Sequence, residues 1–204
     1  SLSSWNLLNA FGISGMFRDT EFNQDISNWD VSNVEYMSEV FKSNTKFNQD
    51  ISSWDVSSVK DMSGVFNGAT NFNKDISIWD VSKVTYMSYL FNDASSFNQN
   101  VGNWNISAVA NMYAIFDYSG ISNDNYDAIL IGWEQLPSLR NDVVVSAIDK
   151  RFCESAQARA NIQAIYGWTF NDSGKSLNCN TSEERPFITT WSVTSLNNSE
   201  NEVI

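Results

Sequence analysis

Apolar and polar positions follow a pattern that returns every 25 residues along the first 120 residues. The decamer FNQDISNWDV at 22–31 is followed by near copies at 47–56, 72–81 and 97–106. Four apolar slots recur in register: Trp29, Trp54, Trp79 and Trp104; Val34, Val59, Val84 and Val109; Met37, Met62, Met87 and Met112; Phe41, Phe66, Phe91 and Phe116. A fixed interval of this length predicts stacked structural repeats.

Within one unit, two spacings predict two different elements. The tripeptide Trp29-Asp30-Val31 alternates apolar and polar residues, which predicts a short strand. From Val34 the apolar residues follow at i, i+3 and i+7, which predicts a short amphipathic helix that Ser32 would cap. The combined spacing resembles that of leucine-rich repeats, with Ile, Trp and Val in place of leucine.

We therefore predict an α/β repeat solenoid: right-handed, leucine-rich-repeat-like coils, each with a short strand plus a short helix. The first segment fits the same slots, which would be filled by Leu2, Trp5, Leu7, Ile13 and Phe17. Residues 1–120 would therefore form five coils, at 1–21, 22–46, 47–71, 72–96 and 97–120. Each slot would meet its own copy about 4.8 Å away, the spacing of neighbouring strands. A hydrogen-bonded stack is expected from Asn23, Asn48, Asn73 and Asn98.

A different region is predicted at 121–179, where the repeat stops. Its spacings indicate a helix, a strand, a second helix and a second strand, at 122–136, 142–148, 154–167 and 168–172. We interpret it as a C-terminal α/β cap, because a solenoid needs its last apolar surface covered. Residues 180–204 are predicted to be a linker and the start of a following module, which would make this chain part of a longer one.

The two cysteines of the chain, Cys153 and Cys179, both follow the repeats. A pair in an acidic chain rich in Asn and Ser predicts one structural disulfide in an oxidising compartment. The alternative is two reduced thiols buried as small apolar side chains. A bridge would tie the start of the last helix to the exit of the last strand, and its loop would contribute about 3 kcal/mol in the chain-entropy description.

Composition limits the classes of function. The chain has 24 acidic and 12 basic residues, no His, and a net charge of −12. Nucleic acids and anionic membrane surfaces need basic patches, so neither is an expected partner. No apolar run approaches the ~20 residues of a membrane span, so no membrane insertion is expected. Without His and without nucleophile-elbow, phosphate-loop or zinc-protease motifs, we expect no enzyme, no cofactor and no metal site.

The predicted strands would expose three columns of side chains as candidate ligand-binding residues. The central column is Asp30, Asp55, Asp80 and Asn105; the flanking columns are Asn28, Ser53, Ile78 and Asn103, and Ser32, Ser57, Ser82 and Ser107. Stacked carboxylates would repel by roughly 1 kcal/mol per pair in a water-like dielectric, so their retention needs an explanation.

Three explanations stay open for the carboxylates. Each Asp could accept hydrogen bonds from the adjacent backbone or the next Ser and thereby fix a turn. The column could instead form an anionic strip for a basic peptide or a cation-bearing ligand, or bind calcium. A separate set of aromatic residues falls between core slots, is expected to be partly exposed and could bind protein or glycan: Tyr36, Tyr86, Tyr89, Tyr113 and Tyr118.

The repeated string F-N-Q-D-I-S-x-W-D-V-S-x-V-x-x-M-S-x-x-F resembles the 25–26-residue repeat of bacterial surface proteins and lipoproteins, kin to the BspA-like leucine-rich repeats. The strings NYDAILIGW and FCESAQARANIQAIYGWTFNDSGK resemble the closing segment of members from the Bacteroidetes group, and PFITTW resembles the start of a further module. Asn100, Gly102 and Asn105 depart from the pattern, which suggests that the last coil is specialised to meet the cap.

This resemblance implies a secreted protein or one displayed on the surface of a bacterial cell. We expect a non-catalytic recognition or adhesion module that binds an extracellular protein or glycan through an extended repeat face. The alternative is a structural spacer, which would hold another module away from the cell and have no ligand of its own. Near-perfect repetition favours the spacer, whereas breaks in the repetition favour binding.

Overall fold

The computed structural model describes residues 5, 7–177 and 179. Its helices and strands follow the repeats in the order α1 (Asn123–Glu134), β1 (Val144–Ala147), α2 (Ala156–Tyr166) and β2 (Thr169–Asp172). The two strands form a parallel sheet in which Val144 pairs with Thr169. The predicted linker and further module at 180–204 lie outside the described residues.

Successive repeats lie side by side in chain order. Parallel bridges join one residue of each repeat to the next, in the order Gly12, Tyr36, Asp61, Tyr86 and Asn111. Around these bridges every second residue donates its N–H to the following repeat. Met62 donates to the carbonyl of Tyr86 at 2.9 Å, and Gly64 donates to that of Ser88 at 2.8 Å. A backbone ladder therefore crosses all the repeats.

The predicted apolar slots form the core. From the second repeat onward, the Trp, Val, Met and Phe slots are at most 5% exposed. Rings of neighbouring repeats lie parallel, as with Phe66 and Phe91, whose centroids are 5.7 Å apart at 1°. Trp29 and Trp54 stack at 6.4 Å and 2°. The first repeat departs from this pattern, because Trp5, which was expected in a core slot, is 49% exposed.

The buried indoles also bond the repeats to one another. The Nε1–H groups of Trp54, Trp79 and Trp104 donate to backbone carbonyls of the preceding repeat, at 3.0, 3.2 and 3.1 Å. The acceptors are Ile26, Ile51 and Ile76. Tryptophan therefore contributes both a large apolar ring and a satisfied polar group at this slot.

The helix predicted in each repeat is wrong, because these residues form turns. Two residues of each repeat, four positions apart, have positive φ, such as Glu39 at 58° and Ser43 at 57°. An α-helix of L-residues does not contain left-handed positions, and here alternate N–H groups bond to the next repeat. The turns bury Val34, Met37 and Phe41 at the same i, i+3, i+7 spacing, so the spacing alone did not distinguish turns from a helix.

The strand predicted at 29–31 is also wrong. Two turns occupy this part of the repeat, closed by bonds from Trp29 N–H to the Ile26 carbonyl and from Val34 N–H to the Val31 carbonyl. The backbone pairing between repeats lies further along the chain, at the bridge of Tyr36. Apolar and polar residues alternate at 29–31 because the side chains point alternately inward and outward. The backbone at these residues is not part of a strand.

The predicted asparagine stack is confirmed. The side-chain Oδ1 of each Asn accepts the backbone N–H of the next Asn at 2.9–3.1 Å, through Asn23, Asn48, Asn73 and Asn98. Asn98 Oδ1 in turn accepts the N–H of Ser122 at 2.8 Å. Ser122 caps α1 through its own side chain, so the stack links the repeats to the helix that follows them.

Two glycines allow α1 to pack on the last repeat. A Cβ at Gly102 would lie 2.7 Å from the carbonyl oxygen of Ala128 in α1, and one at Gly132 would overlap the carbonyl of Gly102. Gly102 stands where the other repeats have serine, in agreement with the expectation that the last repeat is specialised. Trp133 of α1 stacks on Phe116 with centroids 6.2 Å apart.

The disulfide between Cys153 and Cys179 is present, with a Cα–Cα distance of 5.3 Å. The same end of the molecule is fixed by Asp127, a buried carboxylate of α1. It accepts the N–H groups of Cys153, Glu154 and Ser155 at 2.9–3.0 Å. α1 therefore satisfies backbone donors that precede α2.

Candidate functional site

The ladder residues predicted as ligand-binding lie at the surface. The exposed members are Asn28, Asp30, Ser53, Asp55, Asp80, Asn103 and Asn105, and the half-buried members are Ser32, Ser57 and Ser82. Ile78, in the flanking column, is 76% exposed. These residues lie on turns and not on a sheet face, which corrects the surface on which the prediction placed them.

Each carboxylate of the central column holds its own turn. Asp30 Oδ1 accepts the N–H of Ser32 at 3.1 Å and its hydroxyl at 2.6 Å. Asp55 and Asp80 each accept the N–H of the serine two residues later at 3.0 Å. The hydroxyl and N–H of Ser32 lower the pKa of Asp30, and those of Ser82 lower the pKa of Asp80. These contacts favour the turn-fixing explanation.

A second acidic column makes the same turn and was missed in the sequence. Its members are Asp25, Asp50, Asp75 and Asn100. Ser27, Ser52 and Ser77 each donate N–H to the carboxylate two residues earlier at 2.9 Å. The signal was the recurrence of D-x-S at both places in the repeat, which is typical of Asx turns. Among residues 7–177, no three acidic, Cys or His side chains converge as metal ligands.

A different surface carries the exposed aromatic residues. We call the surface formed by 36–43, 61–68, 86–93 and 111–118 the turn face, because these segments hold the left-handed residues and the ladder between repeats. As expected, its tyrosines are partly exposed, at 40–53%: Tyr36, Tyr86, Tyr89, Tyr113 and Tyr118. The rings of Tyr89 and Tyr113 meet edge to face at 5.4 Å and 75°.

One column of the turn face is interrupted by a missing side chain. The first left-handed position of each repeat holds Gly15, Glu39, Gly64, Tyr89 and Ala114. A Cβ at Gly64 would lie 3.4 Å from Glu39 Cγ, so this glycine lies directly beside the Glu39 side chain. The absence of a side chain in the middle repeat leaves a gap between Glu39 and Tyr89, which belong to the repeats on either side.

A groove of about 410 Å³ opens at this gap. Three serines, one from each of three repeats, line it: Ser38, Ser63 and Ser88. The other lining groups are Glu39, Lys42, Asp61, Gly64, Asn67 and Tyr89. Hydroxyl, carboxylate, ammonium and amide groups therefore surround one aromatic ring.

The polar groups of the groove are held by neighbours. Glu39 accepts Arg18 Nη1–H and Lys42 Nζ–H, both at 2.6 Å, so its carboxylate lies between two cations. Asn67 Oδ1 accepts Asn92 Nδ2–H at 3.1 Å. A groove whose side chains are already oriented loses less conformational entropy when a ligand binds.

One protein family matches the chain. The family model described as Mycoplasma protein of unknown function, DUF285, matches residues 11–129, more than half of the chain. That span includes the whole turn face and the groove. The chain matches no curated protein and no solved structure.

In the part of the chain that the structure describes, neither helix has the length and apolar character that a membrane span requires.

Proposed function

The chain belongs to the family described as Mycoplasma protein of unknown function, DUF285, and we propose that it is a non-catalytic recognition or adhesion module. Its turn face binds an extracellular protein or glycan. The observation that carries this proposal is the missing side chain at Gly64, where a polar groove lined by Tyr89 interrupts the turn face. A spacer has no need of such an interruption.

The composition of the turn face supports recognition. Exposed tyrosines offer large amphipathic rings with few rotatable bonds, and such rings are enriched where proteins contact ligands. Tyr86 and Tyr89 come from the fourth repeat and Tyr113 from the fifth, and of these Tyr89 lines the groove. The Asp column is a weaker candidate, because neither the exposed tyrosines nor the groove includes Asp30, Asp55 or Asp80.

The backbone ladder makes the turn face a rigid support. We propose that the stack is a right-handed, leucine-rich-repeat-like solenoid in which turns replace the strand and helix of each coil. Residues 121–179 would form its C-terminal cap. Because each repeat is bonded to the next, side chains in equivalent positions keep constant spacing, and weak contacts along the face could add up by multivalency.

We propose that the module works outside the cell, on a bacterial surface or after secretion. The Cys153–Cys179 disulfide supports this setting, since such bridges persist in oxidising compartments. The resemblance to BspA-like surface repeats, and to members from the Bacteroidetes group, supports the same location. In this setting the module would be one part of a longer surface chain.

An array of glycans and peptides probed with the 204-residue chain tests the proposal. We expect retention on at least one class of ligand and loss of that retention in the variant with Tyr86→Ser, Tyr89→Ser and Tyr113→Ser. The control carries Asp30→Asn, Asp55→Asn and Asp80→Asn, which leave the turn face unchanged and should retain binding. Equal loss in both variants would contradict a role for the turn face.

The spacer remains the second candidate, and the continuous backbone ladder favours it. A ladder from Gly12 to Asn111 resists bending, which suits a rod that carries another module. If the wild-type chain binds no arrayed glycan or peptide, the spacer explains the repeats and recognition does not.

A further inference from the structure

The groove at Gly64 has the chemistry of a carbohydrate site. A sugar ring presents hydroxyl groups around its edge and an apolar C–H surface on its face. Carboxylate groups accept hydrogen bonds from hydroxyls, amide groups both accept and donate them, and aromatic rings pack against C–H surfaces. Glu39, Asp61 and Asn67 supply the polar groups, and Tyr89 supplies the ring.

The volume fits a small ligand. About 410 Å³ falls within the ~300–1,000 Å³ of typical ligand pockets. Ser38, Ser63 and Ser88 stand at equivalent positions of three repeats, and their hydroxyls are close enough for Ser88 to donate to Ser63 at 3.3 Å. A row of hydroxyls with a regular spacing can exchange hydrogen bonds with successive hydroxyls of a sugar.

A peptide strand is a poorer fit, because the backbone of the middle repeat has no donors left to pair with it. Every N–H from residue 62 to 68 donates within the protein: four to carbonyls of the next repeat, two to carbonyls of the same repeat, and that of Ser63 to Asp61 Oδ1. Strand addition depends on unpaired main-chain groups at an edge. The side chains of the groove are therefore left as the binding groups.

The Tyr89 ring is held in position for stacking. Its residue has a φ of 59°, in the left-handed region, and its N–H donates to the carbonyl of Tyr113 at 2.8 Å. The Tyr113 ring meets it edge to face, 5.4 Å between centroids. Backbone and neighbouring ring together limit the orientations of Tyr89, and its side chain remains 42% exposed.

We propose that the groove between Glu39 and Tyr89 is a subsite for one pyranose ring of a glycan. The C–H face of the ring packs on Tyr89, and its hydroxyls bond to Glu39, Asp61 and Asn67. Gly64 is the specificity-determining position, because any side chain there occupies the subsite. This inference rests on the proposed recognition function and narrows its ligand to saccharides.

Titration of the 204-residue chain with the methyl glycosides of glucose, galactose, mannose and N-acetylglucosamine tests this subsite. Binding is followed by the chemical shifts of backbone amides. At least one glycoside should shift amides in 61–68 and 86–93 at millimolar concentration. Tyr89→Ala should weaken that binding about tenfold, a change in affinity that corresponds to the loss of one good contact.

A matched pair of variants separates filling of the groove from backbone strain. Gly64→Tyr places a ring in the gap, with the backbone conformation that Tyr89 adopts in the next repeat. Gly68→Tyr is the control, because Gly68 also has positive φ, does not line the groove, and is matched by Tyr118. Gly64→Tyr should abolish binding, and Gly68→Tyr should retain it. If Gly64→Tyr fails to fold, Asn67→Ala with Tyr89→Ala takes its place.

The subsite is overturned if none of the four glycosides shifts these amides, or if Gly64→Tyr binds as tightly as wild type. It is also overturned if the shifts fall on the Asp turns at 30–32 and 55–57. If the chain is instead retained on an arrayed peptide and the triple tyrosine variant is not, the proposed recognition function stands and the saccharide subsite is overturned.

Discussion

Asn105 accepts the N–H of Ser107 at 3.1 Å, in the same geometry in which Asp80 accepts that of Ser82 at 3.0 Å. An amide thus holds the turn of the fifth repeat that a carboxylate holds in the fourth. The acceptor oxygen is what the turn requires, and the negative charge is not. This relationship separates a structural role of the Asp column from any role that depends on charge.

Replacing the column by asparagine should therefore leave the fold intact. With Asp30→Asn, Asp55→Asn and Asp80→Asn together, we expect the fold to persist, because each amide oxygen still accepts the serine N–H. At neutral pH the melting temperature should fall only by the charge-dependent part of the bond, which the lowered pKa values of Asp30 and Asp80 indicate. The matching triple alanine variant should melt at a lower temperature than the triple asparagine variant, since each turn loses its side-chain acceptor. Differential scanning calorimetry measures both; equal melting of the alanine variant and wild type would disprove the turn role.

Stability should fall in acid because of these turns. Hydrogen bonds from serine lower the pKa of Asp25, Asp30, Asp50, Asp75 and Asp80. A carboxyl group with a lower pKa in the folded chain stabilises it above the unfolded pKa, about 3.9. That stabilisation is lost as the pH falls through the folded-state pKa. Melting temperatures should therefore drop below about pH 4, and by less in the triple Asn variant; identical acid profiles would contradict this.

Replacing Gly68, one of the two left-handed glycines of the third repeat, should destabilise the folded chain. Gly68 has a φ of 70°, and a Cβ there would meet Ser43 no closer than 3.5 Å, so conformational strain is the only penalty. Gly68→Ala should destabilise the chain by about 1 kcal/mol. Ser43 already adopts this conformation with a side chain, so Ser43→Ala is the control and should change unfolding in urea little. A neutral Gly68→Ala would argue against the left-handed turn.

The indole hydrogen bond can be tested by a pair of tryptophan variants. Trp79 donates Nε1–H to the carbonyl of Ile51 at 3.2 Å, and Trp79→Phe leaves that buried carbonyl without this donor. We expect a loss of about 1–3 kcal/mol beyond the change in packing. Trp133 is equally buried, but its Nε1 has no partner among the described residues. Trp133→Phe should therefore cost less in chemical denaturation, and the reverse order would contradict the assigned bond.

The 25-residue interval predicted much of the packing, because identical side chains can stack only when the repeats are in register. It placed the Trp, Val, Met and Phe slots in the core and the asparagine stack between repeats. It also marked the end of the repeats, after which the two helices and two strands lie within a few residues of the predicted ranges. The disulfide followed from composition alone.

The secondary structure of the repeat could not be predicted from spacing. Left-handed residues decide between a helix and a chain of turns. Within the repeats, glycine occupies these positions only at Gly15, Gly64 and Gly68. Elsewhere Glu39, Tyr89 and Asp93 adopt the same conformation, which L-residues disfavour. Bonds to the neighbouring repeat compensate for this strain, and such bonds are invisible in a single unit.

The groove was missed for a related reason. The prediction was based on residues that recur and selected the Asp column, which holds turns. The groove lies at a position where the residue type changes from repeat to repeat. Aligning the repeats shows Gly64 between Glu39 and Tyr89, but only the fold shows that this column lies on the same surface as the tyrosines. Departures from a repeat are therefore the better guide to recognition.

Hydroxyl-radical footprinting, read by mass spectrometry, tests the arrangement of buried and exposed rings on which recognition depends. In the free chain we expect fast oxidation of Tyr86, Tyr89 and Tyr113 and slow oxidation of Trp54 and the other core tryptophans. A ligand selected from the array should slow oxidation of Tyr89 and Tyr113 and leave the Asp turns unchanged. Fast oxidation of the core tryptophans, or a ligand that leaves Tyr89 fully reactive, would contradict recognition through the turn face.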